Sequence, residues 1–297
     1  MAQHAEFEEK EYENPLNIEL LFNKSTNIWA PGQVFEEHFG IDSALLATHP
    51  TFWKLFNPNH SKIGISLNDF NWGYIWRKVN KKRPLPKFKT NLLLQVKRPE
   101  HRLGVNSKYA VFGIDKEYWQ FKLTNHQQKA LEKLSEKIST KALICYASPA
   151  FHLLEDLYKN IENSTLIQNS TFVQAIKLRN HTKWVYNKAG TTGLACSKVE
   201  KISDKDLLKS IEILSKDQSD DQINSSPILN LQYLVNEIVS SIRELPQTNV
   251  VRNEFQRRLR VLSEINYNVE YHSKEIELFQ IVNIYCTLTN TTWYVIN

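Results

Sequence analysis

Apolar and polar positions along this chain follow two periods, and one gives way to the other near residue 203. Before it, unbroken or alternating apolar runs predict strands; after it, apolar residues return every three or four positions, as along one helix face. The stretch Lys87–Arg102, apolar from Leu92 to Leu94 and again at Val96, predicts a strand. Tyr109–Gly113 and Tyr118–Lys122 read as extended too. Lys141–Ala147 is so continuously apolar that it predicts a strand buried on both faces. Between the last two, Asn125–Lys137 predicts an amphipathic helix with Ala130, Leu131 and Leu134 on its apolar side, crossing over between neighbouring strands.

Upstream, the spacing predicts a helix from Asn14-Pro15 to Phe22, a second from Gln33 that stops at Gly40, and a third over Asp42–Ala47. Strands over Ile63–Leu67 and Tyr74–Val79 flank Asn68-Asp69. Phe172–Leu178 fits either element, and His181–Tyr186 followed by Gly190 and Gly193 reads as strand then turn. Past residue 203, helices are expected over Asp204–Ser215, Pro227–Leu245, Val250–Ile265 and Tyr271–Leu288. The expected fold class is α/β, a mixed sheet flanked by helices with an α-helical C-terminal extension. Residues 1–202 form the first unit and 203–297 the helical one.

Composition narrows the classes. A chain of 297 residues with 41% apolar and 11% aromatic content can fill a real core. It has no apolar run of membrane-spanning length, and Glu6, Glu8, Glu9, Glu11 and Glu13 stand where a signal peptide would be basic, so no membrane partner and a cytoplasmic location are expected. Cys145, Cys196 and Cys286 lie far apart without metal-ligand spacing, which reads as buried free thiols. Eight glycines and no phosphate loop ending in Lys-Ser/Thr disfavour ATPase, kinase and dinucleotide-binding readings. Ser197 lacks the context of a nucleophile elbow. The net charge of +5 is modest, but it is unevenly placed: from Arg77 to Arg102 ten Lys or Arg residues face one acid, Glu100. Arg77, Lys78, Lys81, Lys82, Arg83, Arg98 and Arg102, preceded by Trp72, Tyr74 and Trp76, suit a phosphate backbone and unpaired bases; a solvated basic loop is the plainer reading.

Gln95 and Lys97 carry the candidate chemistry. Two apart on a strand, they share one face while Val96 points to the other, which sets a carboxamide oxygen beside an ammonium. A metal ligand next to a water-orienting cation has that composition. The pair would equally suit the solvent face of an edge strand, where lysine deters edge pairing. Asp69, after Asn68, reads either as a turn residue or as a metal-binding carboxylate 26 positions before Gln95.

In this arrangement the chain resembles the PD-(D/E)XK, or restriction-endonuclease-like, nuclease superfamily over roughly residues 30–150. That family sets an Asp on one strand and an acidic-or-Gln, x, Lys triplet on the next, often with a Glu from a preceding helix. Here Asp69, Gln95-Val-Lys97 and Glu36 match. Gln95 stands where a carboxylate is commoner, and no Pro precedes Asp69. The resemblance implies an endonuclease that hydrolyses phosphodiester bonds in DNA, RNA being the other nucleic acid it admits, with a restriction or phage-defence role. It implies Mg²⁺, or Mn²⁺, held by Asp69, Gln95 and Glu36, and Lys97 acting on the attacking water. Gln127 or Gln128 on the following helix would face the phosphate. The helical tail, with Arg252, Arg257, Arg258 and Arg260 on one segment, suits self-association or a partner protein. The competing expectation is a catalytically inactive nucleic-acid-binding or assembly protein.

Overall fold

The computed structural model describes residues 2–22, 28–29, 90–138, 141–203, 206–216, 226–267 and 274–296. Its strands are β1 (Ala2–His4), β2 (Ile28–Trp29), β3 (Thr90–Val96), β4 (Glu100–Leu103), β5 (Glu117–Lys122), β6 (Ala142–Pro149), β7 (Ser170–Gln174), β8 (Lys183–Tyr186), β9 (Thr192–Cys196), β10 (Glu200–Ser203) and β11 (Thr292–Ile296). The helices are α1 (Glu9–Phe22), α2 (Ser107–Ala110), α3 (Asn125–Lys137), α4 (Leu154–Glu162), α5 (Leu207–Lys216), α6 (Pro227–Glu244), α7 (Val250–Tyr267) and α8 (Lys274–Thr289). A six-stranded antiparallel sheet runs β1-β4-β5-β8-β9-β10, and a five-stranded mixed sheet runs β2-β11-β3-β6-β7, with β3 and β6 parallel. The fold is therefore α/β, with a mixed sheet flanked by helices and a helical C-terminal region. The expected helices at Gln33 and Asp42–Ala47 and the strands over Ile63–Leu67 and Tyr74–Val79 lie outside the described residues.

Alternation along β3 explains why its sequence reads as unbroken. Leu92, Leu94 and Val96 pack with Tyr12, Leu16 and Leu20 of α1 and Ile211 of α5. Leu93, between them, points to the opposite face and joins α3, α6 and α8. Every residue of β3 and of β6 is buried, because helices cover both faces and a strand pairs along each edge. The tail docks through apolar faces: Leu231, Leu234, Val235, Ile238 and Ile242 of α6 are buried at three- and four-residue spacing. Each such side chain contributes about 1.5–3 kcal/mol over an exposed one, so packing and not propensity holds these helices. A polar clasp adds direction. Asn91 donates to the Lys141 carbonyl at 3.3 Å and to Asn230 of α6 at 3.2 Å, and accepts from the Trp293 indole at 2.9 Å.

The structure corrects three expectations. Tyr109–Gly113 is not extended: the Asn106 side chain accepts from the Lys108 amide at 3.1 Å and starts the short helix α2, and Gly113 at φ +82° turns the chain afterwards. Tyr109 and Ile114 thereby reach a small core with Tyr118, Val185 and Leu194. The helix α1 begins at Glu9, so Pro15 lies in its interior and not at its start. The helix α3 joins β5 and β6, which belong to different sheets; the parallel neighbour of β6 is β3, and the crossover between them contains the whole β4-α2-β5-α3 excursion. Beyond α8 the chain turns back into the mixed sheet. Thr292–Ile296 returns as β11 between β2 and β3, so residues on both sides of 203 share one core.

Candidate functional site

Gln95 and Lys97 close the C-terminal end of β3. Both are buried, at 1% and 8% exposure, which removes the solvent-face reading. From Asn91 to Leu94 the strand is central, with β6 and β11 paired on its two sides. The ladder to β11 stops at Leu94, and beyond it the turn after α8 lies over Gln95. That turn forms because Asn290 adopts φ +51°, a left-handed conformation that Asn tolerates, and the Thr291 amide folds back onto the Cys286 carbonyl at 2.9 Å.

Gln95 is held by its amide nitrogen. Nε2 donates to the Thr289 carbonyl at 2.7 Å and to Oε1 of Gln127, in the first turn of α3, at 3.0 Å. Gln127 in turn donates through Nε2 to the Leu288 carbonyl at 3.2 Å. The Gln95 oxygen, Oε1, is buried with no hydrogen-bond partner. A buried acceptor left bare is expensive, typically about 1–3 kcal/mol, and a bound water or ion would relieve that cost.

Lys97 extends the strand pairing, its amide donating to the Ala147 carbonyl at 2.8 Å, and its own carbonyl accepts from the Ser148 hydroxyl at 2.8 Å. Its ammonium forms no ion pair or hydrogen bond among the described residues. Burial holds it below the ordinary lysine value, and the Glu9 carboxylate draws it partly back up. Glu9, in the first turn of α1, accepts from the Arg98 amide at 3.2 Å and from Asn290 at 3.4 Å. The sequence reading passed over Glu9, Thr289 and Asn290. Glu9 stood in the acidic N-terminal run, whose approach to Lys97 only the fold discloses.

Of the other candidates, the structure brings Gln127 to Gln95, whereas Gln128 turns into the core and bonds Tyr146, Glu132 and the Ala175 carbonyl. Arg98 grips the N-terminal segment through the Ala5 carbonyl and the Glu8 carboxylate, the latter at 2.7 Å. Arg102 pairs with Glu100. In the tail, Arg252 caps the Leu245 carbonyl, and Arg257 and Arg258 both bind Glu254 at 2.6–2.9 Å. Trp184 and Tyr186, in the strand expected over His181–Tyr186, are fully buried. The three cysteines are free and buried, and burial pushes the Cys286 thiol up to about 12. Asp69, Glu36, Arg77, Lys78, Lys81, Lys82 and Arg83 lie outside the described residues.

As a metal site, the described portion supplies one fitting group. Mg²⁺ takes oxygen ligands, and Gln95 Oε1 is an oxygen without a partner. Among the described residues, no three His, Cys, Asp or Glu side chains converge to hold a metal. Also among the described residues, no helix is long and apolar enough to cross a membrane. No protein-family model matches this chain, nor does any curated protein or solved structure.

Proposed function

We propose that the chain is a Mg²⁺-dependent endonuclease that hydrolyses phosphodiester bonds in DNA, with Gln95 and Lys97 in its active site. The observation that carries this reading is the placement, at the end of one central strand, of a buried amide oxygen with no hydrogen-bond partner and of a lysine, buried as a residue, whose ammonium has no ion pair among the described residues. A fold tolerates two such groups together where a ligand completes both.

Bound Mg²⁺ supplies a Lewis acid and a water of lowered pKa. Gln95 Oε1 offers it a ligand, and Asp69 and Glu36 are the proposed carboxylate partners. Lys97 sets a positive charge where the phosphate gathers negative charge as its bond to the leaving oxygen breaks, and the low-polarity surroundings strengthen that attraction. Because burial makes the ammonium easier to deprotonate, Lys97 is also suited to orient the attacking water and exchange a proton with it. The rival is a catalytically inactive nucleic-acid-binding or assembly protein. It is favoured by the neutral amide at position 95, which gives a cation less attraction than a carboxylate would.

Supercoiled plasmid incubated with the full chain separates the two. Nicking in Mg²⁺, its absence in EDTA, and its loss in Lys97→Met and Asp69→Ala variants of unchanged circular dichroism are expected. Binding without nicking would sink the enzyme reading, and undiminished cleavage by Lys97→Met would remove that residue from the site. Single-stranded and duplex RNA run alongside test the choice of DNA.

A further inference from the structure

Two glutamine side chains meet at this site, and main-chain carbonyls decide which way each faces. A carbonyl oxygen can only accept. The Leu288 carbonyl therefore takes the Gln127 amide nitrogen, at 3.2 Å, which turns Gln127 Oε1 toward Gln95. Gln95 now meets two acceptors, Gln127 Oε1 at 3.0 Å and the Thr289 carbonyl at 2.7 Å, and only an –NH₂ group satisfies both. Its oxygen is forced to the remaining side, where it stays without a donor. Since Gln127 cannot flip without losing Leu288, the orientation is fixed from both ends.

We infer that position 95 is built for an amide and against a carboxylate, with Gln127 as the positioning residue that, together with the Thr289 carbonyl, holds the Gln95 nitrogen and so presents its oxygen as the ligand atom. This rests on the proposed active site for its catalytic meaning, but the preference for an amide stands on the hydrogen bonds alone. A Glu at position 95 would direct a carboxylate oxygen at two acceptors, and mutual repulsion replaces two hydrogen bonds. The Lys97 ammonium pulls the other way. Two acceptors at hydrogen-bond distance outweigh it, since Lys97 and Gln95 are not bonded to one another.

The test uses the full chain and the variants Gln95→Glu, Gln95→Met, Gln127→Met and Gln95→Glu with Gln127→Met. Urea unfolding in EDTA at pH 7.5 is expected to give midpoints in the order wild type, Gln95→Met, Gln95→Glu from high to low. Gln127→Met, which removes one of the repelling oxygens, should cost less in the Gln95→Glu background than in wild type. In plasmid nicking, Gln127→Met should raise the Mg²⁺ concentration for half-maximal rate about tenfold or more, because an amide held by one bond swings more freely. A Gln95→Glu chain as stable as wild type, or one that nicks at lower Mg²⁺ as added negative charge alone would dictate, overturns the inference. Additive midpoints in the double variant overturn it too. Should Gln95→Glu fail to fold, an unchanged midpoint and half-maximal Mg²⁺ in Gln127→Met suffice to overturn it. If the wild type cleaves nothing, the endonuclease reading falls, and the urea order still decides the amide preference.

Discussion

Replacing Lys97 with Met should stabilise this protein while abolishing its proposed activity. Lys97 is 8% exposed, and no carboxylate lies within 4 Å of its ammonium among the described residues. Taking an ion out of water costs several kcal/mol in real proteins, and here only the more distant Glu9 offsets it. Met keeps an unbranched stem of similar length and drops the charge. Removing the desolvation cost and losing the Glu9 attraction leaves a net gain of about 1–3 kcal/mol. For a chain of this size that is a rise in Tm of about 2–6 °C.

Calorimetry in EDTA at pH 7.5 reads the gain directly. Its pH dependence has a fixed sign. The folded ammonium titrates below 10.5, so between its folded value and 10.5 the folded state carries fewer protons than the unfolded one, and wild-type stability rises with pH. The advantage of Lys97→Met is thus full at neutral pH and shrinks as the pH climbs toward 10.5. A variant less stable than wild type at pH 7.5, or an advantage that widens with pH, would refute the reasoning and return Lys97 to an ordinary structural role.

Two further outcomes are expected away from the site. Gly193→Ala should destabilise by about 1–3 kcal/mol, because a Cβ there would lie 2.5 Å from the Trp184 ring and 2.6 Å from the Val185 carbonyl, and Trp184 is fully buried; an unchanged urea midpoint would contradict this. His152, stacked on His101 at 3.8 Å, is held below the usual histidine value by burial and by the His101 charge. The folded state then binds fewer protons than the unfolded one below pH 6.5, so stability falls as pH drops from 6.5 through the folded value, and His152→Phe should flatten that loss; equal acid sensitivity in both chains would rule His152 out as its source.

Sequence legibility here tracks how local the determining contacts are. The helix α3 was readable residue by residue, since Ala130, Leu131 and Leu134 supply its face within one short window. The run in β6 was readable for the same reason. By contrast, Thr292–Ile296 carries β-branched and aromatic residues, yet its pairing partner β3 lies some 200 residues earlier in the chain, Trp293 bonding Asn91 at a separation of 202. Nothing near residue 292 reports on that partner. Tyr109–Gly113 failed in the opposite sense: its apolar letters suggested a strand, and a single Asn106 cap with a left-handed Gly113 overrode them.

The site divides along the same line. Strand alternation was enough to set Gln95 and Lys97 on one face, but their meaning depends on burial, which the letters alone left open between an edge strand and a central one. At 1% and 8% exposure neither residue lies on a solvent face, and a lysine with no ion pair among the described residues requires another reason to be there. The partners that orient Gln95 come from separations of 32 and 194 residues, and one of them is a main-chain carbonyl, which no residue type encodes. The described part of the site carries a neutral oxygen and a positive charge, and its nearest carboxylate, Glu9, is already engaged by the Arg98 amide and Asn290. A metal ion held at Gln95 would therefore need acidic ligands that reach the strand end past Leu94, where the ladder to β11 stops. Loss of Mg²⁺-dependent nicking in Asp69→Ala, with the urea midpoint in EDTA unchanged, is what that requirement predicts.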